Sequence, residues 1–350
     1  GVKCHMALNI FAHNEDIGPF TEYLRSVKDL GIDAFIAADP GVIDMIWEVM
    51  PDAEVHLSTQ ANMTNYRTAK FWHDRGIRRL VMARELTLEE IREMQKNIPP
   101  DMELEAFVHG AMCISYSGRC LLSNFMIERD ANRGMCAHPC RWKYALVEQQ
   151  RPGEYYPVEE DDRGTYIMNS KDLCLIEHLP QLIDAGISSF KIEGRMKSVF
   201  YVATVVSAYR KAIDSYFKDP QSYSFRQQWM EDLCKASHRE FTTGFYFHKP
   251  DNLDQNYRTS DYTRDYSFVG IVKSYDPDTG YAKVEQRNKM VLGDRVEVFG
   301  PMTDFFEQEI SEMYDEEGEA ISSAPHPQQI IKIKMEKPVE PFFMLRKKKE

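Results

Sequence analysis

From residue 4 to residue 108 the chain repeats one alternation, in which a short apolar run is followed by a stretch with apolar residues at helical spacing. Runs at 4–10, 34–38, 54–57 and 79–82 each precede such a stretch, at 21–30, 42–49, 65–75 and 87–96, and a fifth run stands at 104–108. Gly31 and Gly76 sit where helix C-caps are needed, Pro51 ends the second helix, and Thr87 with Glu90 reads as a capping box. The alternation resumes with a helix at 176–185, a strand at 189–192 and a long helix at 199–216. Strands that alternate with helices pair in parallel, because each helix serves as the crossover between neighbours. The expected class is therefore α/β.

Polar side chains follow nearly every strand: Asn9, then Gln60 and Asn62, then Arg84, His109, Glu193 and Arg195. That distribution suits the C-terminal rim of a (β/α)8 TIM-barrel-like domain better than the single crevice of an open sheet. Six strands are counted rather than eight, so two strand-helix units are expected to lie before Gly1.

The barrel-like domain is assigned to residues 1–218, with a cysteine-rich insertion at 109–175. Residues 219–265 lose periodicity and read as a linker. Short alternating runs at 268–274, 281–286, 294–299 and 329–334, separated by turn signals, predict a small β-barrel domain over 266–345. The basic run Arg346, Lys347, Lys348 and Lys349 reads as a solvated tail.

A formal net charge of -12 excludes a protein that coats nucleic acid through bulk charge, while leaving room for a local basic groove. No apolar run approaches the roughly 20 residues that span a bilayer, and no signal peptide is present. The chain thus reads as soluble and cytoplasmic, with no membrane partner. Thiols stay reduced in that compartment, so clustered cysteines point to metal or catalysis rather than to disulfides.

Four of the seven cysteines, Cys113, Cys120, Cys136 and Cys140, fall between Glu105 and Arg141, with Gly110, Gly118, Gly134 and Pro139 among them. A soft metal or cluster needs thiolates in a preformed cage, and Gly and Pro permit the turns that aim sulfurs inward. Cys113, Cys120 and Cys136 are the best candidate ligands, with Cys140 or Cys174 as a fourth. Spacing alone does not separate zinc from iron-sulfur, and buried free thiols are the plain alternative. His109 and His138 flank the cysteines, yet no established nucleophile motif supports a protease dyad.

Lys191, Glu193, Gly194, Arg195 and Lys197 stand between a strand and a helix, where cations and backbone N–H groups can hold a carboxylate or phosphate. An exposed charged turn is the competing reading. His109, Glu193 and Arg195 are the candidate catalytic residues. Asn9, Gln60, Asn62, Arg84, Lys191 and Lys197 are the candidate substrate contacts.

The pattern Glu105-x-Phe107-x2-Gly110-Ala111-Met112-Cys113-x4-Gly118-x-Cys120-x2-Ser123 resembles the signature of the U32 peptidase-like family, also called collagenase-like proteases. Further blocks agree with it: Asn132-Arg133-Gly134-x-Cys136-x2-Pro139-Cys140-Arg141, Ser170-Lys171-Asp172-Leu173-Cys174, the 191–197 block, and Thr242-Thr243-Gly244-Phe245. The resemblance covers essentially the whole chain. It implies a TIM-barrel-like catalytic domain followed by a small β-barrel. It also implies kinship with proteins that hydroxylate the tRNA wobble uridine to 5-hydroxyuridine using a prephenate-type donor, as well as with relatives labelled peptidases. By position, it implies iron-sulfur ligands at Cys113, Cys120, Cys136 and Cys174, with Cys140 a near neighbour that some members use instead. tRNA and a small carboxylate donor are the implied partners, with zinc as the alternative metal.

Overall fold

A computed structural model describes residues 1–113, 115–142, 145–146, 156–157, 170–250, 254, 262–301 and 303–349. They form two compact units, one of residues 1–193 with 240–261 and the other of 194–239 with 262–350.

In the first unit β1 (His5–Leu8), β2 (Ala34–Ala37), β3 (Val55–Leu57), β4 (Arg79–Val81) and β5 (Glu103–Ala111) pair in parallel in chain order. Between them run α1 (Asn14–Val27), α2 (Pro40–Val49), α3 (Tyr66–His73) and α4 (Leu88–Asn97). The strand centres are apolar and buried, as in Leu57, Leu80 and Leu104, and the helices add Leu24, Ile43, Ile46 and Ile91. α4 opens on the expected capping box, with Thr87 and Glu90 satisfying each other's backbone N–H groups.

Two helix starts differ from the sequence reading for local reasons. α1 begins at Asn14 rather than near Thr21 because the Asp16 carboxylate accepts the His13 N–H at 2.9 Å, and the helix then tolerates Pro19. The helix expected at 176–185 is a 3-10 turn, Ile176–His178, followed by α6 (Leu179–Asp184), since Pro180 suits only a first helical turn. The insertion contributes α5 (Leu122–Ile127) and an antiparallel backbone pairing of β6 (Ala145–Leu146) with β7 (Tyr156–Pro157). Residues 114, 143–144, 147–155 and 158–169 of it lie outside those described.

The sheet gains three further strands, of which the alternation announced only the one at 189–192. β8 (Asp172–Cys174) pairs antiparallel with the end of β5, β9 (Ile187–Ile192) pairs parallel with β5, and β10 (Phe241–Thr242) pairs parallel with β8. The result is one mixed eight-stranded sheet whose path ends at β1 and β10. Among the described residues no pairing closes those ends into a barrel. The stretch read as a linker, 219–265, holds β10 in this sheet and, in the second unit, α8 (Gln227–Lys235). Part of that stretch, 251–253 and 255–261, lies outside the described residues.

In the second unit α7 (Val199–Lys218) packs with α8. An antiparallel seven-stranded sheet follows the order β15-β14-β19-β11-β12-β18-β16. Its members are β11 (Tyr266–Asp276), β12 (Tyr281–Gln286), β14 (Arg295–Phe299), β15 (Phe306–Glu309), β16 (Met313–Tyr314), β18 (Ile330–Lys334) and β19 (Met344–Lys348), and β13 (Met290–Val291) pairs separately with β17 (Ser323–Ala324). Val269, Val284, Val298, Ile331, Ile333 and Leu345 fill its core.

The basic run at the C-terminus is therefore not a solvated tail. β19 lies between β14 and β11, Arg346 is only 2% exposed, and its guanidinium meets Glu297 at 2.7 Å and Asp232 at 3.3 Å. Lys347 reaches Asp294 at 2.8 Å. Acidic partners on other elements supply the neutralisation that a local charge pattern cannot reveal. Among the described residues, no helix is long and apolar enough to cross a membrane.

Candidate functional site

The end of β5 organises the site. His109, Gly110 and Ala111 pair with Cys174, Leu173 and Asp172 of β8, and His109 is also in register with Ile192 of β9. Only glycine fits at 110, because φ is +109° and a Cβ would stand 2.6 Å from the Glu193 carbonyl oxygen. That close approach lets the Glu193 N–H donate to the His109 carbonyl at 2.9 Å. His109, Glu193 and Cys174 are thus gathered at one strand end.

The cysteine segment leaves β5 here and is tied back by polar brackets. Arg141, buried at 3% exposure, donates to the Met112 carbonyl at 2.9 Å and pairs with the buried Asp172 at 3.3 Å. Arg133 grips Asp16 with two bonds of 3.1 and 2.7 Å, so the Asp16 carboxyl lies below its ordinary range. The Asn132 amide oxygen accepts the Phe11 N–H at 2.7 Å. Asn62, at φ +53°, donates to the Ser117 carbonyl at 3.2 Å and accepts from Arg119 at 2.8 Å. Its amide is engaged in holding the loop. Gln60 lies against Gly118, and Asn9 donates to the Ser58 hydroxyl at 3.2 Å.

Cys113 and Cys120 lie within electrostatic reach of both Cys136 and Cys140, which also reach each other. Burial pushes the Cys136 thiol up and the charges of Cys113 and Cys120 push it further, while the His138 N–H, 3.4 Å from its sulfur, pulls the other way. Burial, opposed by Arg141 and reinforced by Cys113, Cys136 and Cys120, pushes the Cys140 thiol up to about 11. Such a thiol is protonated at neutral pH, the opposite of what a nucleophile needs. Cys174 is buried in β8.

Thiols at this density fit a soft metal or iron-sulfur centre in their chemistry. Among the described residues, no three Cys, His, Asp or Glu side chains are arranged around a single ion.

The strand-end cations divide between the units. Lys191 of β9 is engaged by Glu105, with its ammonium 2.7 Å from the carboxylate, which Ser189 also meets at 2.8 Å. Burial pushes the Glu105 carboxyl up, but Lys191, Ser189 and Arg79 outweigh it and hold it below its ordinary value. Arg195 and Lys197 belong to the second unit, where Arg195 is exposed in a turn and the Lys197 ammonium lies 4.1 Å from the Tyr262 ring centroid. A groove of about 570 Å³ in that unit is walled by Val199, Val202, Val206, Phe299 and Met344, with Lys197 and Arg210 as its charged lining. Arg84 is buried at 8% exposure and donates to the Ala111 carbonyl at 2.9 Å.

Sequence reasoning passed over the residues that fasten the segment, Asp16, Arg133, Arg141 and Asp172. Their signal was the presence of Arg133, Arg141 and Asp172 inside the blocks that resemble the family, beside cysteines and glycines. Tyr246 was also passed over; its hydroxyl donates to the Phe107 carbonyl at 2.8 Å and joins the segment after β10 to β5.

A family model described as peptidase family U32 matches residues 1–256, and one described as the peptidase family U32 C-terminal domain matches residues 264–346. The tRNA hydroxylation protein P1 of Bacillus subtilis (strain 168) is 44% identical over 349 residues, covering 100% of this chain and 82% of that protein. The tRNA hydroxylation protein P of Escherichia coli (strain K12) is 37% identical over 365 residues, covering 93% of this chain and 79% of that protein. A protein named Collagenase from Porphyromonas gingivalis (strain ATCC BAA-308 / W83) is 32% identical over 323 residues, covering 89% of this chain and 76% of that protein.

Proposed function

Because the chain belongs to peptidase family U32, and because its cysteine segment brings several thiols together, we propose that it is a tRNA-hydroxylating enzyme. The reaction is hydroxylation of the wobble uridine to 5-hydroxyuridine with a carboxylate-bearing donor of the prephenate type. The observation that carries this reading is the set of thiols within electrostatic reach of Cys136 and Cys140, tied to the end of β5 by Arg141 and Asp172. The names of the Bacillus and Escherichia relatives support it.

Cys113, Cys120 and Cys136 would hold an iron-sulfur cluster, with Cys174 of β8 or Cys140 as the fourth ligand. When bound, such a centre supplies one-electron chemistry at a potential set by its surroundings. The chain's own residues fix its place. Asp172 orients Arg141, Arg141 holds the Met112 carbonyl, and the Gly110 approach sets His109 and Glu193 beside Cys174. Arg195 and Lys197 supply positive charge for phosphate or carboxylate groups.

The peptidase reading rests on the name of the Porphyromonas relative. Cys140 adds nothing to it, since burial pushes that thiol up to about 11. Mass spectrometry of tRNA from cells lacking the protein tests the proposal. Loss of 5-hydroxyuridine and its derivatives, restored by the wild-type gene and not by Cys120→Ser, is expected. An unchanged tRNA profile would overturn it.

A further inference from the structure

Arg84 and Arg141 both donate to the backbone of the cysteine segment, and of these two only Arg141 has a carboxylate partner among the described residues. Arg141 is neutralised by Asp172 at 3.3 Å. Arg84, three residues past β4, has no carboxylate within ion-pair distance among the described residues. One of its nitrogens, Nη1, donates to the Ala111 carbonyl at 2.9 Å and lies 3.7 Å from the Cys113 sulfur. Its guanidinium stacks 3.9 Å from the Phe107 ring centroid, and its Nε is buried without a hydrogen-bond partner. The adjacent Glu85 is a poor counter-ion, because burial pushes its carboxyl up even beside Arg84.

A buried guanidinium that lacks an anion is costly, and the ring face and one carbonyl offset only part of that cost. The missing negative charge has to come from the direction in which Arg84 already points. A cysteine that ligates iron is a thiolate, and a cluster held by several thiolates is anionic as a whole. Hydrogen bonds to ligand sulfur and nearby positive charge both favour the reduced, more negative state of such a centre.

We propose that Arg84 is a positioning and redox-tuning residue, the built-in counter-charge of the thiolate centre, which acts through the Cys113 sulfur. This rests on the iron-sulfur reading of the segment and deepens it. Arg84 is not a substrate contact in this account: its role is to hold the Cys113 ligand and to raise the reduction potential of the centre. Arg141, already neutralised by Asp172, contributes less to the potential and more to the fold.

The experiment is an anaerobic titration with dithionite, which supplies the electron, followed by electron paramagnetic resonance on wild type, Arg84→Gln and Arg84→Lys. Iron and sulfide are measured on every sample. Wild-type protein without iron or sulfide removes the underlying iron-sulfur reading. With the centre present, the expected result is a more negative midpoint in Arg84→Gln, outside titration error, and a midpoint nearer to wild type in Arg84→Lys. A loaded Arg84→Gln protein with the wild-type midpoint overturns the tuning role while leaving the cluster intact. If Arg84→Gln loses its iron, Arg84→Lys decides: recovery of iron supports the counter-charge, and an equally empty Arg84→Lys protein overturns it.

Discussion

The cysteine segment, residues 112–142, is fastened by side-chain charges and amides, whereas the C-terminal sheet closes over an apolar core of Val269, Val284, Val298, Ile331, Ile333 and Leu345. Both regions bury an arginine. In the C-terminal sheet Arg346 meets Glu297 and Asp232, and Lys235 reaches the same two carboxylates at 3.0 and 3.5 Å, so the charge is shared. In the cysteine segment Arg141 has Asp172, while Arg84, which reaches the segment from beyond β4, has no carboxylate among the described residues. The C-terminal sheet is built for stability and spreads its polar load. At the thiols of the segment one buried arginine, Arg84, is left without a carboxylate among the described residues.

Breaking the Arg141 bracket tests this contrast most severely. Arg141→Met removes a cation that pairs with the buried Asp172, and is expected to cost about 3–5 kcal/mol in chemical denaturation. Iron content should fall with it. The matching change in the other region, Arg346→Met, should fall at or below the low end of that range, because Lys235 still lies 3.0 Å from Glu297 and 3.5 Å from Asp232 and offsets part of their charge. Equal losses from the two substitutions would dissolve the contrast.

Apolar truncation should reverse the ranking of consequences. Leu345→Ala removes a fully buried side chain and is expected to cost about 2–5 kcal/mol, read by thermal or urea unfolding, while the iron content per folded molecule stays at the wild-type value. Gly110→Ala should cost about 2–4 kcal/mol, from a positive φ and a 2.6 Å contact with the Glu193 carbonyl, and should lower iron as well as stability. Asn62→Ala should cost only about 1 kcal/mol for each lost bond, and limited proteolysis between Ser115 and Arg119 should quicken.

The smallest effect concerns pH. The folded Glu105 carboxyl lies below its ordinary value of 4.5, so the unfolded chain binds its proton first on acidification. Its contribution is present above the unfolded pKa and is lost as pH falls through the folded one. Unfolding followed from pH 7 downward should show that loss beginning near pH 4.5, and Glu105→Gln should blunt it.

The parallel strands and their helices were legible because period and caps are local. Leu57, Leu80 and Leu104 sit in runs that can be read without knowing their neighbours. β8, β10 and β19 were not legible. Two of them are two or three residues long, and β19 hides its alternation under Arg346, Lys347 and Lys348, whose acidic partners are distant in sequence. The site divides in the same way. The cysteines announced themselves by spacing. Asn62, Arg84 and Lys191 were visible as polar residues after or within strands, but their partners, Ser117, Cys113 and Glu105, are fixed only by the fold.

The central claim is that the thiols of this segment hold an iron-sulfur centre. Iron, zinc and acid-labile sulfide measured on anaerobically prepared protein, with the visible spectrum, test it directly. The account predicts iron and sulfide in comparable amounts, with visible absorbance that disappears in Cys120→Ser. Colourless protein without iron or sulfide, or protein carrying zinc alone, would contradict it.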